Sequence, residues 1–165
     1  MPERASVDYV IVGGGIAGTT AADGIRKKSD GRVMIVTDEP HTLYSRVRLP
    51  DYVAGQIPRE RVFMKDEGWY RERNIQLVRE RSVVRLSPAD RSVQLSDGST
   101  VRYGTLLLAM GGAARRLPCE GIDWDGVHYL RTLDDKQAIR VDDTRAQLAD
   151  PAFDLKSLLQ GNGNP

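Results

Sequence analysis

Hydrophobic residues in this chain fall into short dense runs separated by polar punctuation, and the runs change character along its length. Residues 7–12 (VDYVIV) and 32–37 (RVMIVT) are nearly continuous apolar segments of strand length, the pattern of parallel strands buried on both faces. Between them, small or apolar side chains at Ile16, Ala17, Ala21, Ala22 and Ile25 predict a helix over 16–28, ended by Asp30-Gly31. Strand, turn, helix and strand together have the size of a mononucleotide-binding half. Residues 38–57 mix proline, glycine and charge and predict a long functional loop with one short helix at 51–53. A helix over 65–73 and a third short strand over 75–78 follow.

The pattern then changes. Residues 82–86, 91–95 and 100–103 are short alternating segments, the last two joined by Ser96-Asp97-Gly98-Ser99, whose Asp-Gly pair favours a tight hairpin. A continuous apolar run over 105–110 closes at Gly111-Gly112. A helix and another parallel strand would continue a plain nicotinamide domain. An antiparallel meander in that place predicts an α/β fold in which a Rossmann-like parallel sheet has a β-meander crossover, as in flavin-adenine domains. No internal repeat is present, and 165 residues leave room for one domain over 1–140. Residues 141–165 are expected to form an amphipathic helical tail broken at Pro151, with a disordered GNGNP end.

The candidate chemistry sits in the first turn. Gly13, Gly15 and Gly18 satisfy G-x-G-x-x-G between a strand and a helix, where backbone N–H groups and the helix dipole favour a pyrophosphate. Side chains at Gly13 or Gly15 would block the phosphate, and one at Gly18 would push the helix off the strand. Asp38-Glu39 lies about twenty residues after Gly18, where a carboxylate accepts from a ribose hydroxyl. Taken alone, those acids read equally well as a solvated loop end.

Composition narrows the partners. Net charge is +1, with 24 basic and 23 acidic residues interspersed, so no sustained field gathers nucleic acid or an anionic membrane. The charged start MPERASVD has no secretion-signal core and the apolar run 106–110 is too short to span a bilayer, which predicts a cytoplasmic protein. A single cysteine, Cys119, allows no disulfide within the chain, so redox chemistry would need a cofactor. Cys119 itself reads as a loop residue, His41 and His128 as too few for a metal site, and Trp69 and Tyr70 as helix-to-sheet packing.

Four segments in order, VIVGGGIAG, VTDEPHTLYSRVRLPDYVAG, VQLSDGSTVRYGTLLLAMGG and GVHYLRTLDD, carry a resemblance over about residues 7–139. The chain resembles the N-terminal portion of the FAD-dependent pyridine nucleotide-disulfide oxidoreductase superfamily. Its branch holds ferredoxin and rubredoxin reductases, apoptosis-inducing-factor-like proteins and NADH-linked nitrite reductase subunits. The resemblance implies FAD as cofactor, with its pyrophosphate at Gly13, Gly14, Gly15, Ile16, Ala17 and Gly18 and its adenosine ribose on Asp38 or Glu39. It also implies Arg46 against the phosphates, the Val83 backbone at the adenine, Ala109 and Gly111 in a tight turn near the cofactor, and Arg131 near the flavin. A surface arginine is the alternative for Arg46, and strand core for the Val83 side chain.

Departures from the family pattern are equally specific. Ala109-Met110-Gly111 stands where relatives have Ala-Thr-Gly, Pro50-Asp51 stands where many have Ser-Lys, and no active-site cysteine motif follows the first helix. The second glycine-rich domain for NADH, the later strand with a flavin-touching aspartate and the interface domain of relatives are not among these residues, so a partial enzyme is expected. The reading is therefore the FAD-binding part of an NAD(P)H-dependent flavin oxidoreductase that passes electrons to an acceptor protein. Its alternatives are a catalytically silent FAD-binding module needing a separate NADH-binding chain, and an NAD-only Rossmann protein. No side chain reads as a catalytic acid, base or nucleophile.

Overall fold

The structure, a computed structural model, describes residues 6–116, 118–135 and 139. Its strands are β1 (Ser6–Val12), β2 (Val33–Val36), β3 (Ile75–Val78), β4 (Val83–Ser87), β5 (Ser92–Leu95) and β6 (Thr100–Leu108). They form one sheet in the order β3-β2-β1-β6-β5-β4, parallel from β3 to β6 and antiparallel from β6 to β4. This is the expected α/β sheet with a meander crossover.

Burial explains the arrangement. The apolar runs of β1 and β2 cannot leave either face in water, and each face has its own cover. On one side, helix α1 (Ile16–Arg26) brings Ala22 and helix α3 (Glu67–Glu72) brings Tyr70 against Ile11, Val33, Ile35 and Ile75. On the other, Val93, Leu95 and Val101 of the meander pack with Val7, Val10, Met34 and Val36. Each fully buried aliphatic side chain contributes about 1.5–3 kcal/mol.

Element boundaries move from their expected places for local reasons. Helix α1 stops at Arg26 rather than 28, because the N–H groups of Lys28 and Ser29 both turn back to the Ile25 carbonyl at 2.9 and 2.8 Å. The third helix is shorter than 65–73, since the Asp66 carboxylate accepts the Trp69 N–H at 2.8 Å and sets its start. Asn74, at φ 49°, ends it.

The largest correction concerns 100–103 and 105–110, expected as two strands. They are one strand, β6, whose Arg102 is in register with both Ser6 of β1 and Ser92 of β5. Gly104 does not break it. A side chain there would lie 2.8 Å from the Asp8 carbonyl oxygen, so the glycine permits close approach to β1 inside a continuous strand.

The described residues divide into two compact units, 6–45 with 58–113, and 46–57 with those from 114 onward. The first holds the sheet. In the second, a 3-10 turn at Arg46–Arg48 runs into helix α2 (Leu49–Val53), which starts two residues before the expected 51–53 with Pro50 in its first turn. Leu49 and Leu133 are buried. The expected tail over 141–165 lies outside the described residues.

Candidate functional site

The glycine turn leaves β1 at the carboxyl ends of the parallel strands, the region where open α/β sheets bind ligands. Gly13 has φ 115°, and its N–H donates to the Val36 carbonyl at 2.8 Å. A Cβ on Gly13 would overlap the Ala109 carbonyl, and one on Gly18 would overlap the Gly13 carbonyl. Both glycines are therefore required by backbone packing before any ligand is considered. Gly14 packs on the Thr37 side chain, with 3.0 Å from its Cβ position to Thr37 Cβ. Gly15 differs, because nothing lies within 4 Å of its Cβ position.

Gly15 is also the N-cap of α1. Its backbone is extended (φ −74°, ψ −171°), no side chain caps it, and no acidic residue occupies the first turn. Ile16 and Ala17 are exposed. The first N–H groups of a helix have no intrahelical acceptor, and here neither a side-chain cap nor a local carboxylate satisfies the positive end. A helix start of this kind is chemically suited to an anion.

At the end of β2 the two candidate acids separate. Asp38 is exposed, whereas Glu39 is half-buried, and the Tyr44 hydroxyl donates to its Oε2. The Glu39 N–H also approaches Thr37 Oγ1 at 3.4 Å. His41, Tyr44 and Phe63 meet edge to face with ring centroids 6.1–6.5 Å apart, and Tyr44 bridges to Phe63 across the loop. Thr37, buried in the core, and Tyr44 were not singled out from sequence. The signal available was their position beside the second-strand acid.

At the end of β6, the Ala109 N–H donates to the Val12 carbonyl at 2.8 Å and Gly111 has φ 70°, a left-handed backbone that glycine favours, but residues 109–112 form neither the turn expected there nor a bend. Met110, which replaces threonine, is 68% exposed. Val83 is half-buried against the meander-side core, and the β4–β5 register is irregular between Val83 and Arg85. Its side chain is thus the strand-core residue of the two readings.

Arg46 and Arg131 belong to the second unit. Arg46 Nη1 donates to the Arg131 carbonyl at 2.5 Å. The N–H groups of Arg131 and Thr132 donate to Asp135 Oδ2 at 2.7 and 2.6 Å. Burial pushes the Asp135 carboxyl upward, but these bonds, the Thr132 hydroxyl and the Arg46 charge together hold it below the usual carboxylate range. Asp135 is a residue that sequence reasoning gave no role. Among the described residues, no group of three His, Cys, Asp or Glu is placed to hold a metal, and no helix is long and apolar enough to cross a membrane. Cys119 is exposed.

The sequence model of one family, described as pyridine nucleotide-disulphide oxidoreductase, matches residues 7–154. The chain belongs to that family. Among curated relatives of this pyridine nucleotide-disulphide oxidoreductase chain is the biphenyl dioxygenase system ferredoxin–NAD(+) reductase component of Paraburkholderia xenovorans. It is 39% identical over 132 residues, covering 79% of this chain and 32% of the relative. Rubredoxin-NAD(+) reductase of Pseudomonas putida is 33% identical over 133 residues, covering 79% and 34%. Among solved structures, NADH:rubredoxin oxidoreductase from Clostridium acetobutylicum superposes with a TM-score of 0.77 at 25% identity, covering 85% of this chain and 36% of that one. A covalent putidaredoxin reductase–putidaredoxin complex gives 0.73 at 33%, covering 84% and 34%. The chain thus spans about a third of the length of the relatives it matches.

The family is one of FAD-dependent oxidoreductases. The residues present fit that cofactor: the open position at Gly15, the uncapped start of α1 and the oriented Glu39 carboxylate suit the pyrophosphate and ribose of its adenosine half.

Proposed function

We propose that this chain is the FAD-binding part of an NAD(P)H-dependent flavin oxidoreductase whose electrons pass to an acceptor protein of the ferredoxin or rubredoxin kind. The reading is supported most by the glycine turn. Two of its glycines are demanded by packing, while Gly15 faces open space at a helix start that carries no cap and no acid. In this reading the N–H groups at Gly15, Ile16 and Ala17 hold the pyrophosphate and Glu39 accepts from the adenosine ribose. The Val83 backbone meets the adenine, and Ala109 with Gly111 lets the chain pass close to the cofactor. Arg46 and Arg131 are further proposed contacts, each assigned by family resemblance. When bound, FAD supplies the ring that accepts hydride and releases electrons.

A second reading is that this chain holds FAD but is reduced only when another polypeptide supplies the nicotinamide site. In this reading residues 13–18, the one G-x-G-x-x-G of these 165 residues, serve FAD and not the nicotinamide. The deciding experiment is an absorbance spectrum of the purified chain after incubation with FAD and desalting, followed by anaerobic NADH. Retained flavin that bleaches supports the first reading, and retained flavin that does not bleach supports the second. A chain that retains no flavin sinks both.

A further inference from the structure

The glycine turn and the acidic loop are joined by hydroxyl groups of residues outside both. The Leu43 N–H donates to the Tyr70 hydroxyl at 3.2 Å, Tyr70 Oη lies 3.5 Å from Thr19 Oγ1, and the Thr19 hydroxyl donates to the Gly14 carbonyl at 3.2 Å. Thr19 and Tyr70 are almost fully buried, at 2% and 3% exposure. Proton accounting gives the chain a direction. The hydroxyl proton of Thr19 is committed to Gly14, so at the long link Tyr70 is the donor and Thr19 the acceptor.

Each end of this chain fixes a group of the proposed nucleotide site. At one end, a trans peptide points its C=O and N–H to opposite sides. Drawing the Gly14 carbonyl toward Thr19 therefore turns the Gly15 N–H away from Thr19, at the residue whose Cβ position is open. At the other end, the bond holds the Thr42–Leu43 peptide, one residue before Tyr44, whose hydroxyl donates to Glu39. Tyr70 itself is anchored by its ring in the core with Ile11, Ala22 and Ile75. A buried hydroxyl of this kind costs free energy when a partner is removed, which keeps the geometry unique.

We propose that Tyr70 is a positioning residue of the nucleotide site, its hydroxyl coupling the phosphate-facing glycine turn, through Thr19, to the ribose-facing Glu39, through Leu43 and Tyr44. The proposal rests on the reading of residues 13–18 and Glu39 as an adenosine-diphosphate site. It makes the two ends one rigid unit built on α3, an element that touches no part of the ligand in that reading.

The test uses the full chain, with ADP and 2′-deoxy-ADP as calorimetric probes and FAD retention as a companion measurement. Wild type is expected to prefer ADP over 2′-deoxy-ADP by about tenfold, the worth of one charge-assisted hydrogen bond. Tyr70→Phe, which removes one oxygen atom, is expected to weaken ADP by about tenfold and bring that preference near unity. The preference is a ratio of affinities, so partial unfolding of the variant does not move it. Thr19→Val is expected to weaken ADP, Thr19→Ser to retain wild-type affinity, and the Thr19→Val, Tyr70→Phe pair to lose less than the sum of its singles. Should Tyr70→Phe not fold, Thr19→Val against Thr19→Ser decides alone. An unchanged preference in Tyr70→Phe, strict additivity, or equal affinity for the two Thr19 variants overturns the proposal while leaving the site intact. If wild type binds neither ADP nor FAD, the reading of the site fails and the proposal with it.

Discussion

The glycine turn of the first unit and the arginine cluster of the second are assembled by different physics. Around Gly13 and Gly18 the constraint is backbone against backbone: a carbonyl of Ala109 and one of Gly13 occupy the space where side chains would stand. Around Arg46 and Arg131 it is charge against polar groups, a guanidinium on a carbonyl and a carboxylate on two amides. Steric exclusion admits one residue type and so writes itself into sequence as a motif. Hydrogen-bonded charge admits several arrangements and leaves only composition behind. The difference also sets how each region fails, abruptly for the first and gradually with pH for the second.

The largest effect should come from Gly13→Ala. A side chain at φ 115° that also meets the Ala109 carbonyl is expected to cost on the order of 3 kcal/mol, read as a fall in the urea midpoint with no ligand present. Gly15→Ala sharpens the contrast within the same motif. Its Cβ meets nothing, so stability should change by no more than about 1 kcal/mol, the effect of an N-cap change. FAD retention should nevertheless be lost. Equal destabilisation by the two substitutions would break the distinction between a packing glycine and a ligand glycine.

Next, Arg46→Ala removes the donor to the Arg131 carbonyl and is expected to cost about 1.5–3 kcal/mol, the range for hydrogen bonds from charged groups. Unchanged thermal unfolding would make that bond incidental. Of the two acids after β2, Glu39→Gln should weaken FAD about tenfold, or about 1.4 kcal/mol, and Asp38→Asn should leave it nearly unchanged, both read by flavin fluorescence titration. The reverse order would overturn the assignment of the ribose carboxylate.

The smallest effect is a pH dependence. Because folding lowers the Asp135 pKa, the unfolded chain binds more protons in acid. Its stabilisation is complete above the ordinary carboxylate range, near pH 4, and is lost as pH falls through the lowered value. Wild type and Asp135→Asn should differ by about 1 kcal/mol at pH 6 and converge in acid, measured by urea unfolding. Asp97, held at about 2 first by the Ser99 hydroxyl, then by the Ser99 N–H and by Arg81, gives a second, surface carboxylate with the same sign. A gap that persists unchanged into acid would show that the Asn variant acts through shape and not charge.

The sequence by itself determined the parallel core, the glycine turn and the meander. Continuous apolar runs leave no solvent face, Gly13-x-Gly15-x-x-Gly18 between an apolar run and a helix marks a strand-to-helix turn, and Asp97-Gly98 marks a hairpin. It was read less well where glycine has two meanings, as at Gly104, which sits inside β6 and not between two strands. Distinguishing Glu39 from Asp38 was beyond it, since both are carboxylates at the same strand end and the Tyr44 hydroxyl bond is seen only in the fold. The roles of Thr19 and Tyr70 depend on groups 51 and 27 residues away that no local pattern connects, whereas Asp135 reaches only N–H groups three and four residues before it, a local capping arrangement that Thr132-x-x-Asp135 already spells out. Period and sterics act between chain neighbours and survive in one dimension. A hydroxyl's partner is fixed only once the sheet has folded, because any buried polar group takes whichever acceptor the packed backbone leaves within reach.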